Sequence, residues 1–242
     1  MMPINAPLVR CEHLSKSFSM DHMERHVLRE AEFQICPGET VLLFGKSGQG
    51  KSVLLSLLCG LDKPTMGDIY FDGIWYSSCT QKQLAEIRRK HIGIIFQNLN
   101  LIPSWTAVEN VAAALEDFVP SANIRNARAR QLLEEMDLAD RLHHLPAELS
   151  MGEQQRVAIA RTLIREPKFI LADEPTGDLD AVAAGQIVHL LRTYIHHTNS
   201  TMLIATHGVF PAMNCDRILN ITGGVLTQLV RIKSEPMWKV MS

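Results

Sequence analysis

The chain has no long hydrophobic run. Its apolar stretches fall well short of the roughly 18–20 residues that a membrane-crossing helix needs, so no segment reads as a transmembrane span. It has no excess of charge of either sign. The 24 Lys and Arg side chains stand against 26 Asp and Glu, for a formal net charge of −2, which removes the electrostatic case for a nucleic-acid partner. The short basic stretch Arg125–Arg130, with Arg88, Arg89 and Lys90 elsewhere, reads as a solvated helix face. The opening residues lack the charged and then apolar stretch of a secretory signal, and Cys11 follows Arg10 rather than a small residue, which argues against a lipoprotein anchor. Cysteine is odd in number and scattered (Cys11, Cys36, Cys59, Cys79, Cys215), which suits a reducing cytosol and neither a disulfide framework nor a metal cluster. The pairs His143-His144 and His196-His197 have no companions at ligand spacing and are read as surface loops. There is no low-complexity linker and no internal repeat. What remains is 242 residues at 46% hydrophobic, enough core for one large domain or two small lobes.

The informative segments are short. Glu39–Phe44 is a nearly all-apolar run of the kind buried on both faces of a sheet. It is followed by Gly45-Lys-Ser-Gly-Gln-Gly-Lys-Ser52, and Lys51–Cys59 then places apolar residues at helical spacing. Strand, glycine-rich loop and helix in this order are the context of a phosphate-binding loop. Gly45, Gly48 and Gly50 allow close backbone approach, and the N–H groups of Lys46, Ser47, Gln49 and their neighbours join the helix N-terminus as a cradle for phosphate. Lys51 is placed to reach the β- and γ-phosphates and the Ser52 hydroxyl to ligate Mg²⁺.

A second buried strand, Lys168–Ala172, ends in Asp173 and Glu174. Carboxylates at the C-terminal end of a strand sit where open α/β sheets bind their ligands. Asp173 suits Mg²⁺ and Glu174 suits a base that orients or activates water. A third strand, Thr201–Thr206, delivers His207, and a fourth apolar run, His91–Phe96, ends in Gln97. On their own, His207 reads as a structural histidine and Gln97 as a solvated polar residue at a strand end, although Gln97 also offers a neutral oxygen to Mg²⁺ or water. Ser150 and Gly152 open the helix Val157–Ile164, either as a simple N-cap or as an anion site. Asp180 precedes a helix over Ala181–His196 and caps it. Phe18 has two readings, core of an N-terminal strand or platform for an aromatic base.

Together and in this order, GKSGQGKS (Gly45–Ser52), LSMGEQQRVAIAR (Leu149–Arg161) and FILADEP (Phe169–Pro175) resemble the ATP-binding cassette (ABC) ATPases, over about residues 8 to 230. The resemblance implies an α/β fold: a P-loop NTPase (RecA-like) core, an antiparallel β-lobe and an inserted α-helical lobe over about 98–165. All of it would lie in one domain, 1–242; beyond the resemblance, the tail 231–242, with its lone Trp238, reads as a segment that orders only on a partner. It implies ATP and Mg²⁺ as ligands. It makes Phe18 the adenine platform, Gln97 the Q-loop glutamine and His207 the switch histidine. Ser150, Gly152 and Glu153 belong to the signature that completes the site of a second copy in a head-to-tail dimer, and Asp180 to the loop that crosses that interface. It also implies integral membrane permease subunits, with the chain peripheral on the cytoplasmic face of the inner (plasma) membrane and Asn98–Trp105 lining the groove that receives them.

Two positions depart from the family. Met151 stands where glycine is usual, which leads us to expect weakened rather than abolished function, and Gly208 stands where Asp is usual, which bears on how the loop after His207 is held. IGIIFQNLNLIPSWTAVENV and ADEPTGDLD look most like the lipoprotein-release, macrolide-efflux and cell-division subgroup. The competing readings are a soluble ABC ATPase of DNA repair or translation and a weakly active regulatory cassette.

Along the rest of the chain, the first roughly 90 residues read as strands and turns, including a hairpin at Phe71-Asp-Gly-Ile74. Thr106–Glu116, Asn123–Met136 and Ala139–His143 read as helical, and Arg217–Val230 as a hairpin turning at Gly223-Gly224.

Overall fold

The computed structural model describes residues 6–20, 23–207, 215–231 and 238–240. Its frame is a set of short apolar strands: β3 (Thr40–Phe44), β6 (Ile92–Ile95), β7 (Phe169–Asp173), β8 (Thr201–Thr206) and β9 (Arg217–Thr222). They run parallel in the order β9-β3-β8-β7-β6. The reason for their apolar character is visible in the packing, because successive residues go to opposite faces of a sheet. Val41, Leu43, Phe169, Leu171, Leu203 and Ala205 join one core cluster, while the residues between them, Leu42, Ile170, Ala172, Met202 and Ile204, join another.

The first cluster is closed by α1 (Lys51–Leu58), α2 (Gln81–His91) and an antiparallel group of strands. That group is β1 (Val9–Met20), β2 (Met23–Ile35), β4 (Met66–Phe71) and β5 (Ile74–Trp75), with the β4–β5 hairpin turning at Asp72-Gly73. The second cluster is closed by α3 (Ala107–Ala112), α4 (Ala122–Glu135), α5 (Met151–Leu163) and α6 (Ala181–Thr198). Ala139–Arg141 contributes only a single 3₁₀ turn. Among the described residues no helix is long and apolar enough to cross a membrane.

The C-terminal hairpin turns at Gly223-Gly224, where β9 passes into β10 (Val225–Arg231). β10 then joins the parallel strands to the antiparallel group through one bridge, Val225 opposite Arg29, supported by a 2.8 Å hydrogen bond from the Arg29 N–H to the Gly224 carbonyl.

Three expectations are corrected. The first 90 residues hold a full helix, α2, as well as strands. Only Leu84 and Ile87 of its eleven residues are buried, so its apolar period is too thin to read, though Thr80 and Gln83 form a capping box at its start. His196 and His197 lie in the last turn of α6 rather than in a loop. Within the tail, β11 (Trp238–Val240) pairs antiparallel with β10 with no partner chain, while residues 232–237 lie outside the described set.

Candidate functional site

The loop from β3 to α1 is shaped by glycine where a side chain has no room. A Cβ on Gly45 would stand 2.7 Å from both the side chain and the carbonyl oxygen of Ile221. Gly50 takes φ +101° as the N-cap of α1, a left-handed conformation that other residues rarely adopt. The loop therefore delivers α1 with its first N–H groups free, and the axial dipole adds positive potential there. Lys51 is 7% exposed, and its Nζ donates to the carbonyls of Gly45 (2.7 Å) and Lys46 (3.3 Å). The Gln49 side chain accepts a 2.6 Å hydrogen bond from the Gly223 N–H, anchoring the loop to the C-terminal hairpin.

β7 and β8 bring the acidic groups to the same edge. The Ser52 hydroxyl donates to Asp173 Oδ2 at 2.7 Å. Glu174 has φ +49°, a strained conformation for a residue with a Cβ, held by its N–H on the Ala205 carbonyl and by its own carbonyl accepting from the Gly177 N–H. Its side chain is 7% exposed, with Oε1 2.7 Å from His207 Nδ1 and 3.4 Å from Lys51 Nζ, and Oε2 accepting from the His207 N–H at 3.3 Å.

The two adjacent carboxyls are pushed in opposite directions. Burial pushes Asp173 up, reinforced by the charge of Glu174 against the Ser52 hydrogen bond and Lys51. Burial pushes Glu174 up as well, but hydrogen bonds from the His207 ring, Thr206 and the His207 N–H, with the charge of His207, outweigh it and hold Glu174 below the ordinary glutamate range.

These groups surround a cavity of about 610 Å³ that also takes in Phe18, Ser47, Gly48, Gly50 and Gln97. Phe18 is 39% exposed, so its ring lies at the surface rather than in the core, and the Lys16 ammonium sits 4.9 Å from its ring centroid. Gly45 lies buried beneath the loop, and Lys46 contributes its carbonyl to Lys51. The cavity wall includes Arg25 and Val27 of β2, which sequence reasoning missed. Arg25 is directly opposite Phe18 in the β1–β2 register. Alternation along β2 was the only available signal, and the bulges in β1 blur it.

Ser150, Gly152, Glu153 and Asp180 are not in this cavity. Ser150 caps α5, accepting from the Glu153 N–H at 3.3 Å, while Glu153 accepts from the Ser150 N–H at 2.7 Å and from Arg141 Nε at 2.9 Å. Asp180 caps α6, accepting from the N–H groups of Val182 and Ala183 at 2.9 Å each. The two helix starts are neighbours, since a Cβ on Gly152 would stand 3.5 Å from that of Ala183. Met151 is the first residue of α5 and half exposed, so its side chain does not distort the cap. Gly208 lies outside the described residues.

The donor set suits magnesium. The Ser52 hydroxyl and the Asp173 carboxylate, two hard oxygen ligands, converge within 2.7 Å at the cavity, with Gln97 on its wall. Mg²⁺ favours a few such oxygens together with phosphate and water. Among the described residues no three His, Cys, Asp or Glu gather in a way that could hold a metal ion by themselves.

Residues 28–177 match a family model described as ABC transporter. An uncharacterized ABC transporter ATP-binding protein of Mycobacterium tuberculosis is 39% identical over 229 residues, covering 95% of this chain and 92% of that protein. Another from Thermotoga maritima is 43% identical over 194 residues, covering 80% and 82%. Among solved structures, the ATP-binding cassette MJ0796, dimeric and bound to ADP and Pi in a post-hydrolysis state, superposes with a TM-score of 0.83 at 36% identity, covering 90% of this chain and 96% of that one. CbiO1 of Clostridium perfringens, part of the ABC transporter complex CbiONQ, gives a TM-score of 0.80 at 28% identity, covering 91% and 86%.

Proposed function

This chain belongs to the ABC transporter family as an ATP-binding, ATP-hydrolysing subunit, and from that premise we propose how its own side chains carry the reaction and what it works with. The base of the nucleotide stacks on the open face of Phe18. The β- and γ-phosphates lie against the loop Gly45–Gly50 and the N-terminus of α1, where Lys51 exchanges its carbonyl contacts for phosphate oxygens. Ser52 and Asp173, with Gln97 beside them, would hold Mg²⁺, which would supply positive charge to offset the charge of the phosphates. Glu174, kept ionised at neutral pH, orients the attacking water and draws its proton, and His207 faces the γ-phosphate.

The observation that carries this reading is convergence. Lys51, Ser52, Asp173, Glu174 and His207 come from three separate strand ends and meet in one cavity of about 610 Å³, the scale of a nucleotide site.

The signature residues point to the partner. Ser150 offers a helix start outside that cavity, next to the N-terminus of α6. A second copy placed head to tail would bring its Ser150, Gly152 and Glu153 over the γ-phosphate, with Asp180 at the crossing, so that two ATP molecules are enclosed per dimer. The chain then works peripherally on the cytoplasmic face of the inner membrane, driving integral permease subunits seated beside Asn98–Trp105. The subgroup we propose is the lipoprotein-release, macrolide-efflux and cell-division one, on the likeness of IGIIFQNLNLIPSWTAVENV and ADEPTGDLD.

The test is a gentle pull-down of the tagged chain from native membranes with hydrolysis measured on the recovered complex. A stoichiometric integral membrane protein and Mg²⁺-dependent turnover support the proposal. Recovery with ribosomes or DNA, or as a soluble dimer alone, removes the permease assignment.

A further inference from the structure

One wall of the nucleotide cavity takes no part in the chemistry at Glu174. Arg25 and Val27 of β2 both line it. They are two residues apart on a strand, so their side chains leave the same face. Val27 rests on the phosphate loop, since a Cβ on Gly50 would stand 2.9 Å from its Cγ1. Arg25 lies two residues farther along the strand, about 7 Å, and directly opposite Phe18 in the β1–β2 register. Directly opposite residues of an antiparallel pair project from one face with their Cβ atoms about 4.5–5.5 Å apart. Arg25 therefore stands beside the Phe18 ring rather than beside Lys51.

The Arg25 side chain is exposed, and among the described residues it has no carboxylate or carbonyl partner. Lys16, the other cation at the ring, is already engaged. Its ammonium donates to Asp62 and to the Lys63 carbonyl at 2.8 Å each, and Lys16 is not part of the cavity wall. The acceptor side chains of the cavity lie elsewhere. Asp173 is held by Ser52, and Glu174 by His207 and Lys51. Gln97 follows β6, at the far side of the sheet from β1 and β2. The residues left around the base are Phe18, Ser19, Arg25 and Val27. A guanidinium only donates, through a planar fork of N–H groups, whereas the Ser19 hydroxyl can donate or accept.

Purines differ at the edge such a fork would meet. Adenine shows one acceptor there, N7, next to an amino donor, while guanine shows two acceptors, N7 and O6, at the spacing a guanidinium matches. We propose that Arg25 reads this edge and that the chain takes GTP at least as readily as ATP. The inference rests on the stacking of the base on Phe18 proposed above and adds which bases that site accepts.

The test is equilibrium binding of ATP, GTP and inosine triphosphate to the full chain in EDTA, so that nothing is hydrolysed. The unsubstituted chain should bind GTP at least as tightly as ATP. Arg25→Ala should weaken GTP about tenfold and ATP by less than about threefold. Inosine triphosphate keeps N7 and O6 but lacks the amino group of guanine, so its loss should match that of GTP. Arg25→Lys separates fork from charge. It keeps a cation near the phosphates but loses the bidentate geometry, so GTP should weaken as it does with Arg25→Ala. Arg25 is exposed, and neither substitution empties the core.

Weaker binding of GTP than of ATP by the unsubstituted chain overturns the inference. So does an equal loss of both nucleotides with Arg25→Ala, no loss of either, a GTP loss that inosine triphosphate does not share, or full GTP affinity with Arg25→Lys. Each of these leaves the stacking reading standing. Phe18→Ala should weaken all three nucleotides alike; unchanged binding of all three removes the stacking and this inference with it.

Discussion

Glu174→Gln separates two jobs that one carboxylate performs. The substitution keeps the size of the side chain and the strained backbone at φ +49°. The amide oxygen still accepts from one of the two His207 groups, while the NH2 end gives up the other contact. What disappears is the charge. Lys51 Nζ and Glu174 Oε1 are 3.4 Å apart, with both side chains 7% exposed. At an effective dielectric near 20, unit charges at that separation attract by about 5 kcal/mol before desolvation is subtracted. A γ-phosphate engaging Lys51 competes with that attraction and also brings its own negative charge toward Glu174. Removing the carboxylate lifts both penalties, and even a modest surviving fraction, about 1.4 kcal/mol, raises ATP affinity about tenfold. ADP lacks the γ-phosphate and should gain much less. Hydrolysis should fall about 10²- to 10⁴-fold, since the group that takes the proton from water is gone. Single-turnover hydrolysis and equilibrium binding of ATP and ADP read the three consequences. Turnover within about threefold of the unsubstituted chain would show that Glu174 is not the base. ATP affinity that drops, or rises no more than that for ADP, would refute the argument that the carboxylate competes with phosphate for Lys51.

Other outcomes follow from the same geometry. Burial pushes the Asp173 carboxyl up, so as pH falls it takes its proton sooner than an ordinary aspartate would. The acid limb of activity should therefore appear as a rising Mg²⁺ requirement, recoverable with excess Mg²⁺; a limb indifferent to Mg²⁺ in titrations at several pH values would contradict this. Gly45→Ala should lower stability by about 1–3 kcal/mol and weaken ATP binding. Ile221→Ala should not rescue it, because the Ile221 backbone oxygen is one of the two atoms in the way; thermal melts with and without ATP decide. Asn110 is 1% exposed and ties the N–H and carbonyl of Ile102 and the carbonyls of Trp105 and Thr106. Asn110→Ala should cost about 2–3 kcal/mol and speed protease cleavage within residues 98–105. Met151→Gly should change turnover by less than about threefold, because the capping box at Ser150 uses backbone and the Glu153 side chain, not residue 151.

The parallel strands and the phosphate loop were legible because burial on both faces writes a continuous apolar run, and because a loop that must approach phosphate with bare backbone uses glycine where a Cβ collides. α2 was not legible. With Leu84 and Ile87 as its only buried residues, its remaining side chains answer to solvent. Arg25 and Val27 escaped because β1 and β2 are long, bulged strands in which the period of two slips, and the wall they form exists only once Phe18 is set opposite Arg25.

The join between β2 and β10 also bears on what the nucleotide is mechanically. Phe18 belongs to the antiparallel strands and Lys51 follows the parallel ones, yet sheet pairing connects the two groups through a single bridge, Val225 with Arg29, where β3 and β8 share five. Hydrophobic packing under α1 fills in behind it, but the seam itself is narrow. On the binding mode proposed above, a triphosphate with its base on the Phe18 ring and its phosphates at Lys51 would span that seam as a strut. Its length is fixed by covalent bonds, so losing the terminal phosphate would shorten the strut and change the tension across the joint.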